Sequence, residues 1–401
     1  MEYQDYFSFA SSREIIFGNN SSNHISFFIK SKIRSKIVLI VSDVGIRKTG
    51  IIDNIVKQLE NDNINFATFE ELESEPTIQN VLSCVNKGVT ECCDSILAIG
   101  GGSAIDLAKA ASVMIKHGGN IEDYFGQNKV PEDILPIIAV PTTAGTGSEV
   151  TAGAVLTDNI NNCKVGIRSN YCRPNISVLD PILTLSCPQS VTAASGFDAF
   201  SHAIGSYTMI DQAYMPKGTT LFHGSNFLTD TLAIEAIKLL SHNIRTAVHQ
   251  GQNKESREKM MKGSLLAGLA FSNAGLTHTH MLTYPLSGKL HAPHGVLIAI
   301  VLPKVLEYNL QVRMERMAYV AELMGENISN LSTRESAYKA IAAVNNLIND
   351  IKLPTKLRDI GFKKQDIPKM AEQAIPILNS LPWNPRNMNY EDVIEIYNMC
   401  H

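Results

Sequence analysis

The first half of the chain alternates short apolar runs, rich in valine and isoleucine, with longer stretches whose apolar residues recur at helical spacing. The runs have the length of strands buried on both faces, and the longer stretches have the length of crossover helices. Strands that alternate with helices in this way predict a parallel sheet covered by helices. The predicted strands are Lys36–Ser42, Ile64–Phe69, Ser95–Ile99 and Leu135–Val140, and the predicted helices are Ile51–Asp62, Thr77–Gly88 and Ile105–His117.

The second half of the chain has a different pattern. From about Thr184 onward, long helical stretches dominate and strand signals become sparse. Pro181 and Pro188 flank the change, so we place a domain boundary near residues 182–188. The prediction is an α/β nucleotide-binding domain over residues 1–185 and a helical domain over residues 186–401. The predicted helices of the second domain are Ala193–Tyr207, Leu228–Gln250, Ser256–Ala270, Val312–Met324 and Thr333–Asn349.

The bulk composition argues against several classes of protein. The 401 residues carry a net charge of -4 with a pI near 6.3, whereas a general nucleic-acid binder needs a basic surplus. No apolar run approaches the ~18 residues of a membrane helix, and the N-terminus lacks the pattern of a signal peptide. The seven cysteines include no Cys-x-x-Cys pair. We therefore expect a cytoplasmic protein that binds neither nucleic acid nor membrane.

Three glycines follow the third predicted strand, within Ile96–Asp106, and lead directly into a helix. Glycine lets the backbone approach a pyrophosphate, and the start of a helix favours negative charge. A purely structural turn has the same composition, so this loop alone leaves both interpretations open. A second polar loop, Val140–Glu149, follows the next strand and would lie beside the first, because the carboxyl ends of parallel strands share one edge of the sheet. The two loops together predict a dinucleotide site.

Asp43 stands at the end of the first predicted strand. A carboxylate at this position accepts hydrogen bonds from a ribose diol and repels a 2′-phosphate, which favours NAD over NADP. An aspartate in an ordinary strand-end turn would occupy the same position, so the position alone does not decide between the two roles.

A cluster of metal-binding side chain types lies in the second half. Asp198 and His202 are four residues apart in a predicted helix, so both lie on one face, one turn apart. Four further histidines fall within residues 278–294, a stretch that is otherwise apolar and small. One carboxylate with several imidazoles suits Fe(2+) or Zn(2+), and the lack of a thiolate suits a catalytic rather than a structural site. The residue types predict a metal site without deciding which of the histidines bind.

These segments resemble the iron-containing, or group III, alcohol dehydrogenases over nearly the whole chain. The motifs that carry the resemblance most specifically are Gly100–Asp106, Pro141–Glu149, Gly196–Ala203 and Pro293–Gly295. The resemblance implies an α/β dinucleotide-binding N-terminal domain and an all-α C-terminal domain, the architecture also found in dehydroquinate synthase. The implied metal ligands are Asp198, His202, His280 and His294, which leaves His278 and His291 outside the ligand set. The implied cofactor-binding residues are Asp43, Gly101, Gly102, Ser103, Thr142, Thr143 and Lys164.

The resemblance also implies an activity. We expect a metal-dependent, NAD(P)-linked alcohol dehydrogenase or aldehyde reductase, in which an alcohol held at Fe(2+) or Zn(2+) loses its proton and gives hydride to the nicotinamide. The expected cofactor is NAD rather than NADP. The expected substrates are small alcohols, aldehydes or hydroxyacids, and the expected assembly is a homodimer or a larger homo-oligomer.

Two positions depart from the common pattern of the family. Many members have a histidine where this chain has Tyr284, and many have a glutamate where it has Gly205. The form around Tyr284 is similar to the hydroxyacid–oxoacid transhydrogenases, which makes a transhydrogenase with a retained cofactor the main alternative. A lyase of the dehydroquinate-synthase type and a non-catalytic metal- or nucleotide-binding scaffold are further alternatives. Tyr284 or His278 would pass the proton outward, although Tyr284 would equally serve as a wall of the substrate pocket.

Overall fold

The structure, a computed structural model, describes residues 3–72, 75–160, 163–218, 221–290, 292–381 and 383–401. The chain separates into two compact units. One comprises Ala10–Cys187, and the other joins the N-terminal segment that ends at Phe9 to Pro188–His401. The N-terminal segment was predicted to belong to the α/β domain, but the backbone N–H of Gln4 donates to the Met215 carbonyl at 3.0 Å, within the helical unit. This long-range pairing has no signal in the local sequence.

The α/β unit contains a six-stranded, all-parallel sheet in the order β1-β9-β6-β4-β2-β3. A three-stranded sheet, β5-β8-β7, lies in the same unit. Every residue of β4 and β6 is buried, which is why these strands are apolar except for Ser95 and do not alternate. The strands are β1 Glu14–Phe17, β2 Ile37–Asp43, β3 Asn65–Leu72, β4 Ser95–Gly100, β5 Gly126–Gln127, β6 Ile137–Pro141, β7 Gly153–Asp158, β8 Cys163–Arg168 and β9 Ile176–Leu179.

Helices cover both faces of the six-stranded sheet. Alternate residues of a strand point to opposite faces, so Leu39 and Ile96 join one apolar core while Ile40 and Leu97 join another. The fourth helix begins with a capping box. The Thr77 side chain accepts from the backbone N–H of Asn80, and the Asn80 side chain accepts from the backbone N–H of Thr77. The helices are α1 Ile25–Phe28, α2 Val44–Arg47, α3 Ile51–Asn61, α4 Ile78–Thr90 and α5 Gly102–His117.

The predicted α/β class of this unit is confirmed by its parallel sheet and by its structural relatives described below. The four predicted strands and three predicted helices are present within a few residues of their expected ends. Helix α5 begins at Gly102, three residues before the predicted start. The prediction began later because it assigned Gly102 to the glycine loop. The three-stranded sheet was not predicted, since β5 has only two residues and β8 mixes charged residues with a glycine.

The second unit is helical, and none of its described residues belongs to a strand. Helices α6, α7 and α8 pack on one another, and α9, α10, α12 and α13 enclose a separate apolar core. The predicted all-α class is thus confirmed, although α9, α12 and α13 were not predicted as helices. The helices are α6 Gln189–Tyr207, α7 Phe227–His249, α8 Lys254–Ala274, α9 Thr279–Leu290, α10 His294–Leu323, α11 Thr333–Asp350, α12 Ile367–Ser380 and α13 Tyr390–Cys400.

Helix α10 is far longer than the predicted Val312–Met324. Among the described residues, it is the helix with the length and composition to cross a membrane, but 67% of its most apolar window is buried inside the structure. Pro303 lies within it, and Arg313 has non-helical backbone angles (φ -132°, ψ 26°). No segment of this length was predicted, because the apolar run Val296–Leu302 is well below the ~18 residues of a membrane helix. Packing in the core of the helical unit accounts for the apolar composition of α10.

Candidate active site

Helix α6 places the first two predicted metal ligands side by side. The helix is built largely from alanine, glycine and serine and is buried along most of its length, so its neighbours approach it closely. Asp198 and His202 lie one turn apart on it, and the distance from His202 Nε2 to Asp198 Oδ1 is 3.7 Å. The side chains of Asp198 and His202 are 5% and 7% exposed. The helical spacing therefore produces the predicted pair.

Helices α9 and α10 bring two further imidazoles to the same carboxylate oxygen. His280 lies in the first turn of α9, and His294 is the first residue of α10. The distances from Nε2 of His280 and His294 to Asp198 Oδ1 are 3.5 and 3.6 Å. One ligand atom each from Asp198, His280 and His294 lies within 4.8 Å of the other two. These three residues therefore lie close enough together to share one ion, and His202 lies 3.7 Å from the same Asp198 oxygen without belonging to that closer group.

The electrostatics of Asp198 suit a cation. Burial alone would raise the pKa of its carboxyl, but the neighbouring His202, His294 and His280 more than offset this and hold the pKa well below its usual range. Within the described part of the chain, Asp198 Oδ1 has no hydrogen-bond partner even though it is buried. A buried oxygen without a partner is costly unless something else compensates it.

The separations fit a metal better than they fit hydrogen bonds. Charge-assisted N–H···O bonds are about 2.7–2.9 Å long, shorter than the 3.5–3.7 Å found here. Two ligand atoms held about 2.1 Å from one ion at a tetrahedral angle lie roughly 3.4 Å apart. The His294 side chain is 36% exposed, so the cluster has an open side, as catalytic metal sites do. The donor set and its spacing fit Fe(2+) or Zn(2+).

Ring stacking orients the imidazoles. The ring of His202 stacks on Phe271 of α8, with centroids 4.2 Å apart and an interplanar angle of 23°. His202 also stacks on His280, with centroids 4.7 Å apart and an angle of 16°. Phe271 was not predicted as a site residue. Its position just before the histidine-rich stretch is the only signal in the sequence, and that position is equally typical of a core phenylalanine.

The two predicted proton-transfer residues lie in different surroundings. His278 directly precedes α9 and is buried, and its Nε2 donates to the Leu381 carbonyl at 3.1 Å. Burial lowers the pKa of His278 to about 4, so the imidazole is neutral at physiological pH. Tyr284 follows His280 by four residues on α9, which places it on the same helix face, and it is half-buried. His291, which the resemblance excludes from the metal ligands, lies outside the described residues.

In the α/β unit, Asp43 and the glycine loop lie at the ends of adjacent strands. The chain order reverses between β2, which ends at Asp43, and β4, which ends at Gly100. Such a reversal is where open α/β sheets bind ligands. Asp43 Oδ1 accepts from the backbone N–H of Ile46 at 2.9 Å and caps α2, and a Cβ atom built on Gly100 would lie 3.4 Å from Asp43 Oδ2. Asp43 therefore takes the turn role that its position allowed, while its other oxygen lies beside the glycine loop.

The second polar loop packs tightly against the first. A Cβ atom on Gly102, the first residue of α5, would lie 2.6 Å from Cγ2 of Thr146, so only glycine allows this approach. The backbone N–H of Thr142 donates to the Gly100 carbonyl at 3.0 Å. Among the described residues, Thr142 Oγ1 has no hydrogen-bond partner although it is buried. The two loops thus meet at one edge of the sheet, as predicted.

The remaining predicted cofactor residues lie nearby or at the second sheet of this unit. A Cβ atom on Gly101 would lie 3.5 Å from Thr143 Oγ1, and Ser103 lies in the first turn of α5. Lys164 lies on β8, where its Nζ forms an ion pair with Glu75 at 2.5 Å and donates to Thr157 Oγ1 at 2.8 Å. The Lys164 side chain is only 11% exposed, so it is not the surface lysine that its local sequence suggests.

A buried polar network beneath the two loops was not predicted. Lys109 of α5 is fully buried and donates to Ser148 Oγ at 3.1 Å and to the carbonyl oxygens of Thr151 and Gly153 at 2.9 and 2.8 Å. Asp106 accepts from Ser148 Oγ at 2.5 Å. Burial lowers the pKa of Lys109 to about 8, against the opposing effect of Asp106. The network ties the second loop to α5, and an aspartate and a lysine three residues apart behind a glycine loop were its signal in the sequence.

Comparison with known proteins agrees with this arrangement in both units. Residues 12–181 match the family model of the iron-containing alcohol dehydrogenases, and residues 192–400 match the model of the C-terminal part of the same family. The chain belongs to the iron-containing alcohol dehydrogenase family. The predicted family and the predicted enzyme class, an oxidoreductase acting on CH–OH groups, are thereby confirmed.

Individual relatives of this alcohol dehydrogenase match over nearly their full length. The 1,3-propanediol dehydrogenase of Klebsiella pneumoniae is 40% identical over 364 residues, 90% of each chain. The NAD-dependent methanol dehydrogenase of Bacillus methanolicus is 35% identical over 365 residues, 91% of this chain and 92% of that protein. The crystal structure of a 1,3-propanediol oxidoreductase superposes with a TM-score of 0.92 at 38% identity, covering 99% of this chain and 100% of the other.

These relatives bear on the predicted cofactors and on the main alternative. The iron in the family description and the NAD dependence in the name of the methanol dehydrogenase agree with the predicted cofactors, a divalent metal and NAD. The three relatives are named dehydrogenases or oxidoreductases, so a likeness to the transhydrogenase branch gains no support from them. The alcohol dehydrogenase function is confirmed at the level of the family.

Proposed function

We propose that this alcohol dehydrogenase interconverts small primary alcohols or diols and their aldehydes with NAD(H), at a divalent metal held by Asp198, His202, His280 and His294. The observation that carries the proposal is the convergence of three imidazole Nε2 atoms on Asp198 Oδ1, at 3.5–3.7 Å. The small-alcohol class is supported by the names of the propanediol and methanol dehydrogenases. The preference for NAD is supported by the carboxylate of Asp43 at the end of β2.

The side chains of the helical unit each have a part in this proposal. Iron or zinc bound there would polarise the oxygen of the alcohol or aldehyde as a Lewis acid. Asp198 supplies the one negative charge of the ligand set, which favours a dication over a neutral occupant. The stack of Phe271 on His202, and of His202 on His280, keeps two imidazoles in fixed orientations and excludes water from that side.

The α/β unit would hold NAD, which accepts or supplies the hydride. The backbone N–H groups at the start of α5, at Gly101, Gly102 and Ser103, would receive the pyrophosphate together with the hydroxyl groups of Thr142 and Thr143. The buried Oγ1 of Thr142, which has no partner in the described part of the chain, supports this assignment. Asp43 Oδ2 would accept from a ribose hydroxyl, and Lys164 would serve the nucleotide as a cation next to Glu75.

Tyr284 is the better of the two proposed proton-transfer residues. His278 is neutral and already donates its Nε2 proton to the Leu381 carbonyl, so it has little capacity to accept and release protons near neutral pH. We expect Tyr284→Phe to lower kcat by about 10²-fold and to shift the pH–rate profile, because a general acid or base contributes about 10²–10⁴-fold. The matched control is Tyr308→Phe, because the Tyr308 hydroxyl donates to the Asn387 carbonyl elsewhere in the unit. An unchanged profile would make Tyr284 a wall of the pocket.

The decisive experiment for the function combines metal analysis with an NAD-linked assay. We expect purified protein to contain iron or zinc and to reduce NAD+ with 1,3-propanediol or short primary alcohols, to lose activity on chelation and to regain it when the metal is restored. Full activity in metal-free protein would contradict the proposal. Turnover of a hydroxyacid with an oxoacid acceptor, without added NAD, would instead identify a transhydrogenase.

We further propose that the enzyme is cytoplasmic and acts as a homodimer or larger homo-oligomer, without a nucleic-acid or membrane partner. The net charge of -4 supports the lack of a nucleic-acid partner. The seven cysteines, all within the described residues, form no disulfide, which is consistent with a reducing compartment. The oligomeric state follows from the family resemblance and is measurable by light scattering.

A further inference from the structure

A loop near the C-terminus links two of the helices that carry the proposed metal ligands. It lies between α12 and α13 and contains Asn384, whose side chain is buried. We infer that Asn384 is a positioning residue for the metal centre, which it does not contact as a ligand. The inference rests on the proposed assignment of Asp198, His280 and His294 as metal ligands.

The side-chain amide of Asn384 uses its full hydrogen-bonding capacity. Its Oδ1 accepts from the backbone N–H of His278 at 3.1 Å and from Asn309 Nδ2 at 3.0 Å. Its Nδ2 donates to Asn309 Oδ1 at 2.8 Å and to the Arg386 carbonyl at 2.5 Å. An amide offers two acceptor sites and two donors, and all four are occupied here. No other side chain of this shape supplies both sets of bonds.

The Asn384 amide fixes the start of α9 through its bond to the backbone of His278. His278 directly precedes α9, and its carbonyl accepts from the Leu282 N–H at 3.0 Å in the first helical turn, the turn that contains His280. The same C-terminal loop also contacts the His278 side chain, because the Leu381 carbonyl accepts from His278 Nε2 at 3.1 Å. Both the backbone and the ring of His278 are therefore fixed to the loop, and with them the position of His280.

The same amide also bonds to α10, through Asn309. Asn309 is a buried residue of α10, the helix that begins with His294. The non-helical residue Arg313 lies beyond Asn309, so His294 and Asn309 share the part of the helix before this break. The Asn384 amide thus bonds the segment that carries His280 to the helix that carries His294. Their relative position sets how two of the imidazoles meet Asp198.

Metal binding is sensitive to such positioning. Ligand distances must lie within about 0.2 Å of their ideal values, and loss of groups that orient the ligands typically costs 10–100-fold in metal affinity. Without the Asn384 amide, the buried His278 N–H and the Asn309 amide lose their partners, and the start of α9 is free to shift relative to α10. Asn384 therefore affects metal binding through His280 and His294.

The test measures Co2+ affinity of the metal-stripped, full-length protein by competition with a chromogenic chelator. We expect Asn384→Ala to weaken Co2+ binding by 10-fold or more and to alter the visible absorption of the bound Co2+. Asn384→Asp keeps the acceptors for His278 and Asn309 but turns the two donor contacts, to Asn309 Oδ1 and the Arg386 carbonyl, into contacts between oxygens, so we expect it to weaken Co2+ binding as well. The matched control is Asn345→Ala, which removes an amide that donates to the Ile341 carbonyl at 2.9 Å on α11, a helix without ligands.

The outcomes separate the inference from the assignment on which it depends. If wild-type protein does not bind Co2+, or if His280→Ala binds it as well as wild type, the metal-site assignment itself fails. If wild type binds Co2+ and both Asn384 variants bind it equally well, Asn384 only stabilises the fold and the inference is overturned. Should Asn384→Ala not fold, Asn384→Asp and Asn309→Ala decide the matter by the same measurement. Thermal unfolding of the metal-free variants, compared with Asn345→Ala, shows how much of any change is general destabilisation.

Discussion

Replacing His280 with alanine is expected to abolish metal binding and to lower turnover by roughly three orders of magnitude or more. A Lewis-acid metal lowers the activation free energy by several kcal/mol, and each 1.36 kcal/mol changes the rate about tenfold. His280 is the nearest of the three imidazoles, with its Nε2 at 3.5 Å from Asp198 Oδ1, and it is also the one on which His202 stacks. Its removal therefore takes away one ligand and the support of another. Metal content and NAD-linked activity are the measurements.

Thermal unfolding provides a second readout for the same variant. A ligand that binds only the folded state stabilises it in proportion to the logarithm of its concentration over Kd. We therefore expect added Zn2+ to raise the Tm of metal-stripped wild-type protein and to leave that of His280→Ala unchanged. The matched control is His242→Ala, which removes an exposed histidine of α7. Wild-type activity in His280→Ala, or an equal rise in Tm, would show that the metal does not bind there.

Replacing Gly295 with alanine is expected to destabilise the protein by about 3 kcal/mol or more and to disturb the metal centre at the same time. A Cβ atom at this position would lie 2.0 Å from the Ala194 carbonyl oxygen and 2.6 Å from its carbon. Both are backbone atoms of α6, so no rotamer change relieves the clash. Overpacking of a core costs about 1–3 kcal/mol even where side chains can adjust. Gly295 follows His294, and α6 carries Asp198, so separating the helices moves ligands apart.

Two measurements test this expectation. The free energy of unfolding from denaturant titration gives the loss of stability, and Co2+ competition gives the loss of metal affinity. The control is Gly251→Ala, where the new Cβ atom would meet only the end of the Arg257 side chain, at 3.2 Å. If Gly295→Ala is as stable as Gly251→Ala and keeps its metal affinity, the close approach of α6 and α10 is not required for the site.

Much of the fold was predictable where the pattern is local. Strands β2 and β4 are continuous apolar runs because both of their faces are buried, and α4 begins with a capping box at Thr77. The start of α10 was missed because Pro293 and Gly295 weaken the helical signal there. Strand β5 has only two residues, and no periodicity identifies an element that short.

The candidate site was also predictable in part, where its residues lie close together in the chain. Asp198 and His202 are four residues apart, and the 3.6-residue turn of the helix alone makes them neighbours. Choosing His280 and His294 among the later histidines needed the resemblance to the family, because spacing along the chain does not say which side chains point inward. The role of Phe271 as a stacking partner had no signal that separates it from an ordinary core residue.

By itself, the sequence determined the α/β and helical halves, the glycine loop before α5 and the pairing of Asp198 with His202. Each of these depends on residues close together in the chain, where backbone geometry leaves few alternatives. The resemblance to the family named His280 and His294, and the tertiary structure brings them to Asp198 Oδ1. Only the tertiary structure decided that Gly295 must be small and that Asn384 bonds the start of α9 to α10. These contacts join segments distant in sequence, and close packing of several helices at once determines which of their side chains meet.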